Sequence, residues 1–284
     1  MPPRKESARA TQAPKRKRAS AVGVRTTAPE GKGARRRMKG AKEPVDAAVQ
    51  AALKALERRG TKRTLDGLAR YGIFTNKAFG VSVGDVQRIA KPLGHGHDLA
   101  GALWETGWYE ARLLAAFLDE PERVTPVQMD RWCRDFDNWG ICDTVCFHLF
   151  DRTPHAWRKV EQWASRREEF AKRGSFALLA CLALHDKVTG DGPFLASLRL
   201  IEAAAGDERN FVKKGVNWAL RAVGRRNAAL NTAAVAVARR LAASPEAAPR
   251  WVGKDALREL TSAPVVRRLA MRGRGAAGRS PESA

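Results

Sequence analysis

Two stretches of the sequence that lie 41 residues apart resemble each other. They are Phe170-Ala-Lys-Arg-Gly-Ser-Phe-Ala-Leu-Leu-Ala180 and Phe211-Val-Lys-Lys-Gly-Val-Asn-Trp-Ala-Leu-Arg221. Both begin with Phe, continue after one residue with two basic residues and a Gly, and share a Leu near the end. A weaker version of the pattern occurs at Trp108-Tyr-Glu-Ala-Arg-Leu-Leu-Ala-Ala-Phe-Leu118. Repeated segments at this spacing are typical of chains that stack pairs of helices.

From Val45 onward, apolar residues recur at the spacing of amphipathic helices, and no segment alternates as a strand does. Short breaks rich in Gly, Pro, Asp or Asn separate these segments. A cap residue followed by proline, at Thr125-Pro126 and at Thr153-Pro154, indicates two helix starts. We therefore expect an all-α fold. The predicted helices are 45–59, 62–71, 83–93, 97–106, 108–119, 125–136, 139–150, 154–164, 167–186, 191–205, 208–224, 227–243 and 250–261.

The repeat and the helices together predict a HEAT-like (armadillo-type) helical repeat solenoid over residues 44–266. Such a solenoid has one concave face that can bind an extended ligand. Residues 267–284 contain five Arg residues and one Glu, and they are expected to form a basic disordered tail.

The chain of 284 residues is strongly basic, with 52 Lys and Arg against 30 Asp and Glu and a net charge of +22. Residues 1–43 alone hold 14 basic and three acidic residues and no aromatic residue. Because this composition cannot bury enough apolar surface to fold, we expect a disordered basic arm. Its charge favours a nucleic-acid partner. A solubilising tail and attraction to anionic lipid are the alternatives.

The apolar runs are short, well below the roughly 20 residues that span a bilayer. The charged N-terminus also lacks the apolar stretch of a signal peptide. We therefore expect no membrane span and a cytoplasmic, nucleoid-associated protein.

The cysteines are few and irregularly spaced, which fits neither a disulfide framework nor a zinc site of paired Cys-x-x-Cys motifs. Cys142 and Cys146 lie four residues apart near His148, but small core residues are the better interpretation because a second ligand pair does not accompany them. Gly-rich phosphate-binding and Gly-x-Ser-x-Gly motifs are missing from the sequence, which excludes ATP-driven and serine-hydrolase chemistry. We expect no metal and no cofactor.

The predicted helix 208–224 has a core stripe and a second face that is unusual. Trp218 lies on this second face with Lys214, Arg221 and, if the helix continues, Arg225. A tryptophan among cations indicates a polyanion whose sugars or bases pack on the ring. The alternative is that a neighbouring helix covers Trp218. The core stripe consists of Val212, Val216, Ala219, Leu220 and Val223.

A second helix begins at Asn138-Trp139 and places Asp143 one turn after Trp139, on the same face. A carboxylate beside an indole is suited to electrostatic catalysis, because the ring excludes water and strengthens the charge. The alternative is that Asp143 only complements the helix dipole.

Lys172 and Arg173 are the equivalents of Lys213 and Lys214 in the repeat, so all four are expected on one side of the solenoid. They can bind phosphate there, or they can form a solvated helix end.

These residues resemble the DNA alkylation repair proteins of the AlkD type. The resemblance covers roughly residues 60–245. It rests on Asn138-Trp139-x-x-x-Asp143, Lys172-Arg173 and Asn210-Phe-Val-Lys-Lys-Gly-Val-Asn-Trp-Ala-Leu-Arg221. The earlier segment Gly80-Val-Ser-Val-Gly-Asp-Val-Gln-Arg-Ile-Ala90 resembles the first repeats of that family.

The resemblance implies a HEAT-like solenoid that binds duplex DNA and hydrolyses the N-glycosidic bond of cationic N3- or N7-alkylated purines without inserting the base into a pocket. It implies that Asp143 is the catalytic carboxylate, that Trp139 and Trp218 frame the sugar of the damaged nucleotide, and that Arg173 contacts phosphate. Active members commonly carry Trp-Asp-x-x-Asp, and Gly140 stands here at the position of the first acid.

The sequence therefore predicts a DNA glycosylase for alkylated purines in base excision repair, acting as a monomer on double-stranded DNA. The alternative is a non-excising HEAT-repeat protein that binds bent, branched or damaged DNA. A protein-binding scaffold is a third interpretation, which has no need for the Trp and Asp set. The residues predicted to bind DNA are Lys172, Arg173, Lys213, Lys214, Arg221 and Arg225.

Overall fold

The computed structural model of the chain describes the backbone of residues 34–277 and the side chains of residues 44–272. The chain divides into residues 1–40 and residues 41–284, and all of the helix packing described below lies within the second unit. Within the described range, fourteen α-helices and one 3-10 turn form, and no residue is in a strand. The predicted all-α class is confirmed. The helices are α1 Ala34–Arg59, α2 Lys62–Arg70, α3 Val83–Leu93, α4 His97–Glu105, α5 Tyr109–Leu118, α6 Pro126–Arg134, α7 Trp139–His148, α8 Ala156–Ala164, α9 Glu169–His185, α10 Asp191–Ala204, α11 Asn210–Gly224, α12 Ala228–Ala242, α13 Ala247–Leu260 and α14 Ala263–Ala277.

The helices pack in consecutive pairs, α8 with α9, α10 with α11 and α12 with α13. Helices α5, α7, α9, α11 and α13 each contact the next and form one layer, which we call the inner layer. Helix α10 contacts α8 on one side and α12 on the other, and these three helices form a second layer. This stack of helix pairs is the HEAT-like solenoid that the repeat predicts.

The two similar stretches of sequence occupy equivalent places, in α9 and α11. A Cβ atom on Gly174 would lie 3.6 Å from the Sγ atom of Cys142 on α7, and one on Gly215 would lie 3.4 Å from the Cγ atom of Arg173 on α9. A side chain larger than alanine would push these helices apart. The repeated glycine therefore sets the close spacing of the inner layer.

The core stripe predicted for α11 is confirmed, since all of its members are fully buried. Each buried Val or Leu contributes about 1.5–3 kcal/mol relative to an exposed one. Burial of this stripe fixes the rotation of α11 and therefore decides which residues it presents on its other faces.

Helix α1 begins at Ala34, whereas the sequence predicts its start at residue 45 and assigns residues 34–43 to the disordered arm. Those ten residues are mostly Ala, Arg and Lys, which are strong helix formers, and the prediction gave too little weight to this propensity. Residues 1–33 of the predicted arm lie outside the described residues.

Helix α14 covers residues that the sequence assigns to a disordered tail from residue 267 onward. The tail boundary is wrong because Val265 and Leu269, one turn apart, are buried, and α14 contacts α12 and α13. Residues 278–284 of the predicted tail lie outside the described range.

The two predicted proline starts differ in outcome. The Thr125 side chain caps α6 by accepting a hydrogen bond from the backbone N–H of Gln128 at 3.1 Å, as expected. The Thr153 hydroxyl instead donates to the carbonyl of Phe150 at 2.8 Å, and α8 begins later, at Ala156. Among the helices of the described part, none is long and apolar enough to cross a membrane.

Candidate functional site

A cavity of about 770 Å³ lies against the inner layer, with walls from α7, α9, α11 and α13 and from the connection that follows α2. We call it the first cavity. Six of the nine predicted site residues line it, and these are Trp139, Asp143, Arg173, Lys214, Trp218 and Arg221. The other lining residues are Arg70, Tyr71, Gly72, Asn210, Phe211, Asn217, Trp251 and Asp255.

The start of α7 sets the positions of Trp139 and Asp143. The Asn138 side chain caps the helix by accepting a hydrogen bond from the N–H of Ile141 at 3.0 Å, so Trp139 is the first helical residue. Asp143 follows one turn later on the same face, as the spacing predicts. The Trp139 Nε1–H donates to the carbonyl of Tyr71 at 2.7 Å, which fixes the orientation of the indole.

Asp143 and Arg173 form a two-point ion pair between α7 and α9. Arg173 donates from Nε to Oδ1 of Asp143 at 2.8 Å and from Nη2 to Oδ2 at 2.6 Å. Its Nη1 donates to the carbonyl of Phe211 at 2.7 Å, and only 8% of its side chain is exposed. Arg173, which the sequence predicts as a phosphate contact, is therefore engaged by the protein. The sequence could not reveal this partner, because the two residues are 30 positions apart.

Burial controls the electrostatics of this pair. It raises the pKa of Asp143 above the usual carboxyl range, while the charge and hydrogen bonds of Arg173 act in the opposite direction. Burial alone would lower the pKa of Arg173, but the Asp143 carboxylate raises it, so the guanidinium stays positive. The helix dipole acts mainly on charges in the first turn of a helix. Asp143 lies in the second turn of α7 and pairs with Arg173, so a helix-dipole role does not explain its position.

The exposed face of α11 carries Lys214, Trp218 and Arg221 to the first cavity. Lys214 is exposed at the cavity wall. Trp218 is half-buried, so a neighbouring helix does not cover it completely. Arg221 is less available to a ligand than Lys214, because its Nη1 atom lies 2.6 Å from a carboxylate oxygen of Glu259 and its Nε atom lies 4.0 Å from one of Asp255.

Three cations that the sequence predicts as DNA contacts do not line the first cavity. Each lies against a side chain of the protein instead. The partners are Asp207 for Lys172 at 3.0 Å, the Trp251 ring for Lys213 at 5.2 Å from its centroid, and Glu259 for Arg225 at 3.0 Å.

The connection after α2 is a part of the site that sequence reasoning missed. Gly72 has a φ of 71°, and a Cβ atom there would lie 2.9 Å from the Cζ atom of Phe211. Only glycine fits this left-handed backbone against an aromatic ring. The close approach places Arg70 and Tyr71 at the cavity wall.

Helix α13 adds residues that the sequence did not single out. Trp251 is a third indole in the wall, and its position at the start of a predicted helix gave no functional signal. Asn217 is almost fully buried and donates from Nδ2 to a carboxylate oxygen of Asp255 at 2.7 Å. The Oδ1 atom of Asn217 is buried and has no hydrogen-bond partner among the described residues.

Gly140, where the family resemblance implies an acid in active members, has crowded surroundings. A Cβ atom there would lie 2.6 Å from the hydroxyl oxygen of Tyr109 and 3.1 Å from the Cδ1 atom of Ile73. Tyr109 is buried, and burial raises the pKa of its phenol, so the hydroxyl remains neutral. Asp143 is therefore the one carboxylate that α7 contributes to the first cavity.

Comparison with known proteins gives both a family and a fold. The sequence matches the family model described as DNA alkylation repair enzyme over residues 52–260. One solved structure has a TM-score of 0.66 at 19% identity, with 78% of this chain and 95% of that chain covered. It is described as "A new family of proteins related to the HEAT-like repeat DNA glycosylases with affinity for branched DNA structures". Among curated proteins, none matches the sequence. The family match spans most of the chain, and the protein therefore belongs to the DNA alkylation repair enzyme family.

Proposed function

We propose that the protein is a DNA repair glycosylase that hydrolyses the N-glycosidic bond of cationic N3- or N7-alkylated purines in duplex DNA. The proposal rests on one observation. A single cavity holds Asp143 together with the indoles of Trp139 and Trp218, and Arg173 binds the carboxylate of Asp143 through two hydrogen bonds. Membership of a DNA alkylation repair family supports the substrate class.

The chemistry needs few residues. An alkylated purine already carries a positive charge, so it leaves as a neutral base without a general acid. As the bond between C1′ and the base nitrogen breaks, positive charge develops on the sugar, and the Asp143 carboxylate stabilises this oxocarbenium ion. Water then adds to C1′ and loses a proton, which gives an abasic site.

Arg173 acts in this proposal as a positioning residue. Two parallel hydrogen bonds fix both oxygens of Asp143, and the positive charge favours the ionised carboxylate despite its burial. Each carboxylate oxygen keeps a further lone pair for water or for the developing charge. The sequence assigns phosphate binding to Arg173. In this proposal, cations that face solvent bind the phosphates instead, and Lys214 is the clearest of them.

The indoles supply the surface for the nucleotide. Trp139 and Trp218 pack on the sugar of the damaged nucleotide, where an aromatic ring excludes water from the charge on Asp143. The protein acts in this proposal as a monomer on nucleoid DNA, with double-stranded DNA along the inner layer.

The test is incubation of the full chain with a duplex that contains 7-methylguanine, followed by chromatography of the released base. The same duplex with unmodified guanine is the matched control. Release of 7-methylguanine and retention of guanine are expected. Binding of the duplex without any release would overturn the proposed excision.

A second candidate function is favoured by Gly140, whose crowded surroundings leave little space for an acidic side chain. This candidate is a non-excising protein that binds bent, branched or damaged DNA. The affinity for branched DNA in the description of the similar solved structure supports it. Preference for a three-way junction over a linear duplex, together with no base release, would establish this function instead.

A further inference from the structure

A second cavity of about 580 Å³ also borders Trp218, so this residue lines both cavities. We call it the second cavity. Helix α9, the C-terminal part of α11 and helix α14 supply its walls. Its lining residues are Ala180, Ala183, Leu184, Lys187, Trp218, Ala222, Arg225, Arg226, Asn227, Arg268 and Arg272.

The lining residues include five cations and no carboxylate. One of them, Arg225, pairs with a carboxylate, that of Glu259. Arg226, Lys187 and Arg272 donate to the backbone carbonyls of Thr189, Leu184 and Arg225, and these bonds leave their charges in place. Within residues 44–272, no carboxylate balances the charges of Lys187, Arg226, Arg268 and Arg272, so these charges remain available to a ligand. Cations collected around one cavity repel each other, and an anion in the cavity relieves this repulsion.

Helix α14 brings two of these cations and lies outside the residues 52–260 that the family model matches. The burial of Val265 and Leu269 docks the helix on α12 and α13. Arg268 and Arg272 follow Val265 by three and seven positions, so they lie beside this buried stripe and face the cavity. The Nη1 atom of Arg272 lies 3.2 Å from the carbonyl oxygen of Arg225, which ties α14 to the end of α11.

We propose that the second cavity binds the phosphodiester backbone of the DNA strand that leaves the first cavity past Trp218, and that α14 thereby extends the DNA-binding surface beyond the family core. This inference rests on the DNA-binding part of the proposed function and is independent of excision. Guanidinium groups suit this ligand, because their paired N–H donors match phosphate oxygens. The shared indole makes one continuous path for the strand.

The experiment measures the dissociation constant of the full chain for a linear duplex over a range of salt concentrations. Each phosphate contact contributes about 0.9 to the slope of log K against log salt. The double variant Arg268→Gln/Arg272→Gln should bind more weakly and lower the slope by about 1.8. The single variant Arg268→Gln, at an exposed position, should lower it by about 0.9 and keeps the test valid if the double variant is unstable.

Arg267 provides a matched control, because it is exposed on α14, carries the same charge and does not line the second cavity. Arg267→Gln should leave the slope close to that of the wild type. An unchanged slope in both cavity variants, or an equal loss in Arg267→Gln, would overturn the inference. Inorganic phosphate provides a further test. If phosphate stabilises the wild type but not the cavity variants, and those variants keep the duplex slope of the wild type, the second cavity binds free phosphate. The inference is then wrong.

Failure of the inference can be told apart from failure of the proposed function. If the wild type binds duplex and the cavity variants match its slope, only the role of the second cavity is wrong. If the wild type does not bind DNA at any salt concentration, the proposed function and this inference both fail. Loss of excision alone leaves the inference intact.

Discussion

The carboxylate of Asp143 and the guanidinium of Arg173 meet through two hydrogen bonds, at 2.8 Å and 2.6 Å, in the wall of the first cavity. Both residues belong to the inner layer, Asp143 to α7 and Arg173 to α9. The close contact of these helices at Gly174 allows the pair to form. The fold therefore supplies a carboxylate of fixed orientation to the site.

Replacing Arg173 should change both the stability and the pH dependence of the protein. In Arg173→Met the Asp143 carboxylate stays buried without its cation, which costs about 3–5 kcal/mol at neutral pH. The pKa of Asp143, already raised by burial, rises further because the opposing charge is gone. Protonation then relieves the buried charge, so the stability deficit relative to the wild type should shrink as the pH falls.

The same substitution should move the acid limb of base excision to higher pH, because excision requires ionised Asp143. Single-turnover rates across pH and urea unfolding at two pH values measure these effects. Lys172→Met is the matched control, since Lys172 is the neighbouring residue and pairs with Asp207 outside the first cavity. Arg173→Lys should restore part of the shift. An acid limb that does not move in Arg173→Met would contradict the positioning role.

Lys214→Glu should weaken binding to duplexes of any sequence by about tenfold or more, because phosphate contacts position the protein and carry no sequence information. Lys214 is the exposed cation of the first cavity, whereas Arg221 is paired with Glu259 and its substitution would also affect stability. The control is Arg199→Glu, an exposed residue of α10 that does not line this cavity. Fluorescence anisotropy measures both. Equal affinities would place the DNA elsewhere on the protein.

Gly140→Ala should destabilise the protein by about 1–3 kcal/mol, because the added Cβ atom meets the Tyr109 hydroxyl at 2.6 Å. The usual effect of this substitution inside a helix is a gain of about 0.5–1 kcal/mol. Tyr109→Phe removes the hydroxyl, so the double variant should lose less than the sum of the single variants. Urea unfolding of the four proteins measures the coupling. A Gly140→Ala variant as stable as the wild type would disprove the steric conflict.

Much of the fold follows from local patterns that the sequence displays. The repeat around Phe170 and Phe211 predicts equivalent helices, and the apolar stripe of α11 identifies its core face. The four-residue spacing of Trp139 and Asp143 predicts one shared face, and the structure places both at one cavity. These features depend on residues within one helix or one repeat, where periodicity is informative.

The rest of the site depends on contacts between distant segments. No local pattern shows that Arg173 faces Asp143 rather than solvent, or that Gly72 packs on Phe211 and brings Tyr71 to the cavity. The same holds for α14. Its many arginines are typical of a disordered tail, and the sequence does not show that two of its apolar residues are buried against other helices. Such contacts arise from packing, which one sequence does not reveal.

The most direct test of the proposed glycosylase is single-turnover release of 7-methylguanine from duplex DNA by the wild type and by Asp143→Asn, with duplex affinity and melting measured for both. The substitution removes the anion but keeps the side-chain size. The wild type should release the base, and Asp143→Asn should release it at least about a hundredfold more slowly, which corresponds to about 2.7 kcal/mol of lost transition-state stabilisation, while its duplex affinity is unchanged or higher. Equal rates in the two proteins, or no release by a wild type that binds the duplex, would contradict the account.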